Sequence, residues 1–136
     1  KDLKVWLADD KNTHPLERPL WGLTHMRHPC TIWTNESYDN YVWHWELGVA
    51  LCQEYTKRYK KIHKAQPLFV WLGKNKPRFM KSKGLTPFAI CMKDEYKIGT
   101  DPVASYRQYY IKDKVRFAKW EPHSITPKWY KEMLNA

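Results

Sequence analysis

The 136-residue sequence lacks several features that would assign it to a familiar class of protein. No apolar run approaches the roughly 20 residues that a membrane span needs. The first ten residues, KDLKVWLADD, do not resemble a signal peptide. The 3 cysteines form an odd and scattered set, which argues against a disulfide framework. These absences favour a cytoplasmic, reducing compartment and no membrane partner.

Motifs of the common enzyme classes are also missing. There is no Gly-x-Ser-x-Gly, no Walker motif and no glycine-rich dinucleotide turn, so hydrolases, P-loop enzymes and dehydrogenases are disfavoured. His25, His28 and Cys30 resemble a partial zinc site, but the spacing is loose and no Cys-x-x-Cys partner exists. The sequence therefore predicts no metal and no cofactor.

The most informative absence is that of acidic residues between Tyr55 and Lys93. That window contains 11 Lys and Arg, whereas the remainder of the chain has 13 basic residues against 14 acidic ones. A concentrated basic block is typical of a polyanion footprint, although a solvated basic face without a partner is the simpler alternative. Residues 65–87 are interrupted by proline and glycine and do not form the amphipathic helix that lipid binding requires. Nucleic acid, with DNA favoured, is the predicted partner.

Length and pattern predict a mainly α protein, a single compact helical domain over residues 1–136. One long central helix is expected at about 34–64, and a second long helix at about 102–120, where Asp101-Pro102 gives a start signal. Thr86-Pro87 and Thr126-Pro127 give the same signal for a short helix and a terminal helix. Residues 67–72 and residues 1–10 leave room for a minor strand element.

Basic and aromatic side chains alternate on the second helix. Arg107 and Lys114, seven residues apart, are predicted to lie on one face with Tyr110. One interpretation is a face that stacks bases and contacts phosphates; the other is aromatic core packing with the two cations in solvent. The residues predicted to bind nucleic acid are Arg58, Lys61, Lys64, Arg107, Tyr110, Lys114 and Trp120.

Four residues are candidates for acid–base chemistry. Glu46 lies among tryptophans in the sequence, so burial is expected to raise its pKa towards the range of a general acid. Glu54 is expected to pair with Arg58, one turn further along. His25 and His28 are candidates for proton transfer or phosphate contact, and His28-Pro29 also fits a structural helix start.

With these residues in view, the chain resembles a family of small, largely uncharacterised proteins of tailed phages and bacteria. The resemblance covers roughly residues 24–129. It is carried by Thr24, His25, His28, Pro29, Cys30, Trp33, Asn40, Tyr41, Trp43, Glu54, Tyr55, Thr56, Arg58, Tyr59, Lys61, His63, Lys64, the residues from Asp94 to Lys97, and Ala104, Tyr106, Arg107, Tyr109, Tyr110, Lys114, Phe117, Ala118 and Trp120. It implies a further segment upstream of Lys1 and, for a phage protein, a location in the host cytoplasm or nucleoid.

The upstream segment of that family, together with the Trp129-Tyr130 ending of this sequence, gives a looser similarity to the phage pyrimidine-dimer DNA glycosylases. This similarity implies a DNA repair or modification enzyme of glycosylase or lyase type, with its amine nucleophile upstream of Lys1. The alternatives are a non-catalytic DNA- or RNA-binding protein, a phage factor that binds a host target, or a nucleotide-processing enzyme. Whether the protein is an enzyme is left open by the sequence.

Overall fold

A computed structural model of the chain describes residues 24–136. Within that range the structure is mainly helical, as predicted, and contains no strand. Its α-helices are α1 (Pro29–Glu36), α2 (Tyr38–Tyr59), α3 (Gln66–Lys74), α4 (Pro102–Lys112) and α5 (Lys128–Leu134). The run at 67–72 lies in α3 and is not a strand, and the strand considered at residues 1–10 falls outside the described residues.

The backbone groups into two compact units. The first ends at Thr86, and its described part contains α1, α2 and α3; the second runs from Pro87 to Ala136 and contains α4 and α5. In the first unit α2 packs against both α1 and α3, and in the second α4 packs against α5. The single-domain organisation stays a prediction.

The predicted central helix at 34–64 is in fact two helices separated by Ser37. The backbone of Ser37 is extended, with φ −152° and ψ 145°, and its hydroxyl accepts the N–H of Asp39 as the N-cap of α2. The same oxygen accepts the N–H of Lys83 at 3.1 Å. Helix α2 ends at Tyr59 because Lys60 adopts a left-handed conformation, with φ 56°. The prediction was therefore wrong at both ends of the helix.

Helix α1 begins with the His28-Pro29 pair. The Nδ1 atom of His28 accepts the N–H of Cys30 at 3.1 Å, and Pro29 occupies the first turn, where its missing N–H costs nothing. The structural interpretation of this pair is confirmed.

Residues 81–86 are fixed to the start of α2 by side chains of that helix. Asn40 is fully buried; its amide nitrogen donates to the carbonyl oxygen of Trp33 and to Oγ1 of Thr86, both at 2.8 Å. Its amide oxygen accepts the N–H of Thr86 at 3.0 Å. Thr86 is thereby committed to Asn40 and does not cap a helix, and the predicted helix through residues 88–92 is absent.

Close approach of glycine to aromatic rings joins α2 to α3. A Cβ atom at Gly48 would overlap the ring of Phe69, and one at Gly73 would overlap the indole of Trp45. The indole N–H of Trp45 donates to the carbonyl oxygen of Phe69 at 2.7 Å. The two glycines therefore let large side chains of one helix lie directly on the backbone of the other.

In the second unit, α4 starts as predicted but is shorter. Asp101 is its N-cap, with its carboxylate accepting the N–H of Ala104 at 3.0 Å, and Pro102 follows. The helix ends at Lys112 rather than near residue 120, since Asp113 has a φ of −117° and Lys114–Arg116 form a 3₁₀ helix. The terminal helix is confirmed at Lys128–Leu134.

Replacing Tyr106 by phenylalanine should lower the free energy of unfolding by about 1 kcal/mol. The Tyr106 hydroxyl donates to the carbonyl oxygen of Ala89 at 2.6 Å and accepts the N–H of Cys91 at 3.1 Å, which holds the chain before α4. Urea denaturation followed by circular dichroism measures the change. Tyr109→Phe is the matched control, because the Tyr109 ring stacks on Tyr96 at 4.9 Å while its hydroxyl has no hydrogen-bond partner within residues 24–136. Equal losses in the two variants would contradict the prediction.

Candidate nucleic-acid interface

Ten of the eleven cations of the acid-free window lie in the first unit, and we call them the basic segment. Eight of the ten are exposed, whereas Arg58 and Lys76 are half-buried. Lys76 lies over the ring of Trp45, 4.7 Å from its centroid. The basic segment consists of Lys57, Arg58, Lys60, Lys61, Lys64, Lys74, Lys76, Arg78, Lys81 and Lys83. Its charges therefore largely face solvent.

The turn after α2 places an exposed aromatic ring beside several of these cations. Tyr59, the last residue of α2, is 61% exposed, and its ring packs on Tyr55 with centroids 4.9 Å apart. Tyr55 in turn contacts the imidazole of His63 edge-on at 4.9 Å. The left-handed Lys60 redirects the chain directly after Tyr59. An exposed ring supported by a second ring, with cations before and after it in sequence, can stack a base and contact phosphates.

The predicted binding residues of this unit differ in their surroundings. Lys61 and Lys64 are exposed, as a phosphate contact requires. Arg58 donates from Nε to Glu54 at 2.8 Å, so its charge is already partly neutralised. Tyr59 and Lys60 were not among the residues predicted to bind nucleic acid. The predicted helix continued to about residue 64, whereas α2 ends at Tyr59, whose side chain is exposed.

Three of the four predicted binding residues of the second unit lie in one cluster with Trp129 and Tyr130. The guanidinium of Arg107 lies 5.3 Å from the Trp129 ring, and Tyr110 contacts that ring edge-on at 6.1 Å. Trp120 lies 6.3 Å from Tyr110 and 4.7 Å from Tyr130. Most of this aromatic surface packs against itself, which favours the core-packing interpretation, although Tyr110 is 39% exposed.

Lys114 belongs to a different set of contacts. It follows the end of α4 and lies over Tyr109 at 4.7 Å and over Phe117 at 5.2 Å. The expectation that Arg107 and Lys114 share one helical face is wrong, because the helix that would align them ends at Lys112.

The four predicted catalytic residues do not assemble into an evident acid–base site. Glu46 is exposed, which contradicts its predicted burial among tryptophans. The carboxylate of Glu54 is bound by Arg58, as expected from their spacing. His25 and His28 meet through their backbones, where the N–H of His28 donates to the carbonyl oxygen of His25 at 3.0 Å. His25 has a positive φ of 55° and an exposed side chain.

A carboxylate of α2 positions the loop that carries Lys81 and Lys83. Asp39 accepts the Ser82 hydroxyl at 2.6 Å and the N–H of Gly84 at 2.9 Å. The hydrogen bond from Ser82 is the largest cause that holds the pKa of Asp39 below its ordinary value. Asp39 is therefore ionised at neutral pH and fixes the loop through hydrogen bonds.

No protein-family model, curated protein or solved structure matches this chain. None of the helices in residues 24–136 combines the length and the apolar character that crossing a membrane demands.

Proposed function

We propose that this protein binds nucleic acid, with DNA favoured, and that the first unit supplies the principal contacts. The observation that carries the proposal is the turn at Tyr59, where an exposed ring is flanked by Lys57 and Lys60 inside a segment without a single carboxylate. Lys61 and Lys64 follow it and are exposed. These residues combine the two elements of single-strand recognition, a stacking ring and a cationic track.

The charge distribution supports a polyanion over an ordinary solvated surface. The formal net charge is +10, and 11 basic residues fall within one window. Each phosphate neutralised by a lysine releases condensed counterions, so a segment of this density gains affinity from every contact. A membrane surface is a weaker fit, because the lysines lie on helix ends and in loops and do not form the polar face of one amphipathic helix.

In this proposal Arg107, Tyr110 and Trp120 have a secondary role. Arg107 is already placed over Trp129, and Trp120 packs on Tyr130. A phosphate bound by Arg107 would either draw the guanidinium away from the Trp129 ring or bind it while the cation–π contact is kept. Lys114 is held near the Asp113 carboxylate, at 4.0 Å, which lowers its value as a phosphate ligand.

Binding, and not base excision, is the activity we propose for the described residues. Glu54 is engaged by Arg58 and Glu46 is exposed, so neither carboxylate has the buried surroundings of a general acid. The lyase hypothesis has its own test, which is borohydride trapping of a covalent adduct with an abasic duplex. The hypotheses of a host-target factor and of a nucleotide-processing enzyme stay predictions.

Changing Lys61 and Lys64 together to glutamine should reduce the salt dependence of DNA binding. If each lysine contacts one phosphate, the slope of log K against log salt falls in magnitude by about two. Fluorescence anisotropy with a labelled single strand and a labelled duplex, at four or more salt concentrations, measures this slope. The matched control is Lys128→Gln with Lys131→Gln, which removes the same charge from the second unit.

In the control, Lys128 forms an ion pair with Glu132 at 3.6 Å and Lys131 with Glu121 at 3.7 Å. Both lysines lie outside the acid-free window. We expect the control to change the slope by much less than the Lys61/Lys64 variant. Equal slopes for the two double variants would show that net charge alone matters and would remove Lys61 and Lys64 from the interface. No binding of either DNA by the unaltered chain at low salt would overturn the proposed function.

A further inference from the structure

The first unit contains a cavity that the proposed function does not use. It has a volume of about 310 Å³ and lies where residues of α2 face α3. The α2 residues Tyr41, His44, Trp45, Gly48 and Leu51 recur at helical spacing along one wall. The lining is completed by Thr34, Leu47, Phe69 and Leu72. Among residues 24–136, no lysine, arginine or carboxylate lines it, so a charged ligand would lose its hydration there without a counter-charge from these residues.

The cavity has a buried end and an open side. Tyr41 and Gly48 are buried, whereas His44, Leu47 and Leu51 are exposed. Its volume falls at the lower end of the range typical of small-molecule sites. Aromatic walls of this kind favour a flat ring, since aromatic groups pack in offset or edge-on contacts.

The hydrogen bonds of Thr34 determine which nitrogen of His44 carries the proton. The Thr34 hydroxyl donates to the carbonyl oxygen of Cys30 at 2.6 Å and lies 2.6 Å from Nδ1 of His44. Because a hydroxyl has a single hydrogen, this oxygen must accept from His44, which places the proton on Nδ1. Desolvation of the imidazole lowers the pKa of His44 and favours the neutral ring. Nε2 is then a bare acceptor, and within residues 24–136 no group donates to it.

Tyr41, a buried residue of the lining, has an unused polar group. The Tyr41 hydroxyl is buried without a hydrogen-bond partner in the described part of the chain, and burial raises its pKa to about 12. Buried polar groups normally have a partner. The unpartnered hydroxyl and the His44 acceptor thus both belong to residues that line the cavity.

We propose that this cavity binds a small, neutral, planar aromatic molecule through a hydrogen-bond donor on its ring, which Nε2 of His44 accepts. Trp45 and Phe69 supply the apolar walls, and Thr34 fixes the imidazole in the required tautomer. The two proposals rest on different observations, although Lys76 of the basic segment lies over the Trp45 ring, so either proposal stands if the other fails.

The test compares indole with 1-methylindole, which has the same ring but no N–H. Dissociation constants come from titrations of the full chain followed by ¹H–¹⁵N NMR, in which the Gly48 amide reports on the cavity. Gly84 and Gly99 are built-in controls, because no atoms lie near the position of a Cβ at either residue. We expect indole to shift the Gly48 signal and to bind about fivefold more tightly than 1-methylindole.

His44→Asn is the informative variant, since an asparagine amide can replace Nδ1–H towards Thr34 but has no counterpart of Nε2. In this variant indole and 1-methylindole should bind with equal affinity. Absence of indole binding to the unaltered chain, equal binding of the two probes to it, or shifts confined to residues away from Gly48 would each overturn the proposal. The comparison of the two probes needs no variant, so a failure of His44→Asn to fold leaves the test intact.

Discussion

Replacing Asn40 by alanine is expected to lower the free energy of unfolding of the first unit by about 3 kcal/mol. The Asn40 side chain is 0% exposed and makes three hydrogen bonds, two of which reach Thr86 across 46 residues of sequence. The third is to the carbonyl oxygen of Trp33. Alanine would leave the part-buried N–H of Thr86 and the buried oxygen of Trp33 without this partner. Each such group costs about 1–3 kcal/mol.

The measurement is chemical denaturation followed by circular dichroism, with Asn35→Ala as the matched control. Asn35 is exposed, and its amide donates to the carbonyl oxygen of Thr31 at 3.1 Å within its own helix. Its replacement should change stability by no more than about 0.5 kcal/mol. Amide hydrogen exchange adds a local readout, because the Thr86 N–H should lose protection in the Asn40 variant. Comparable stabilities of the two variants would refute the assigned role of Asn40.

The helix boundaries that the sequence predicted correctly are those set by local chemistry. Asp101-Pro102 opens α4 because the aspartate caps it and the proline fits the first turn. The pair Glu54 and Arg58 was predictable for the same reason, since both residues lie on one helix one turn apart. Local signals of this kind do not depend on the remainder of the fold.

The boundaries that the sequence did not predict are set by distant residues. Ser37 lies within the helix predicted at about 34–64, yet it caps the start of α2. What selects it is that its hydroxyl also bonds the N–H of Lys83 and the carbonyl oxygen of Gly84, more than 40 residues away. Thr86-Pro87 has the same local signature as Asp101-Pro102, yet Asn40 engages Thr86 and no helix follows. A helix start signal therefore predicts a helix only where the side chain and backbone of the capping residue are not engaged by another part of the fold.

The sequence predicted the positive charge of the candidate site but not the arrangement of its residues. An acid-free window of lysines is exposed because burying so many like charges without partners is too costly. The burial of Glu46 was predicted wrongly because the tryptophans next to it in the sequence pack against other residues. Trp45 bonds the backbone of Phe69, and Trp43 packs edge-on against Trp33 at 5.7 Å. Neither contact buries the carboxylate of Glu46.

Changing Gly48 to alanine should destabilise the first unit by about 2 kcal/mol, although alanine is the better helix former. The new Cβ would overlap the Phe69 ring. The backbone oxygen of Phe69 is held by the indole of Trp45, so the ring is not free to withdraw together with its backbone. Overpacking costs about 3 kcal/mol at its upper range, and the helix preference of alanine returns about 1 kcal/mol.

A double-mutant cycle with Phe69→Ala separates these two effects. Once the ring is gone, the overlap disappears and only the helix preference remains, so Gly48→Ala should now stabilise the protein by about 1 kcal/mol. The expected reversal of sign corresponds to a coupling of about 3 kcal/mol between the two positions, measured by urea denaturation of all four proteins. If Gly48→Ala costs the same stability with and without the Phe69 ring, the glycine is needed for the conformation of the α2 backbone and not for the close packing of α3 against α2. Such a result would also weaken the case for the cavity, because Gly48 and Phe69 both line it.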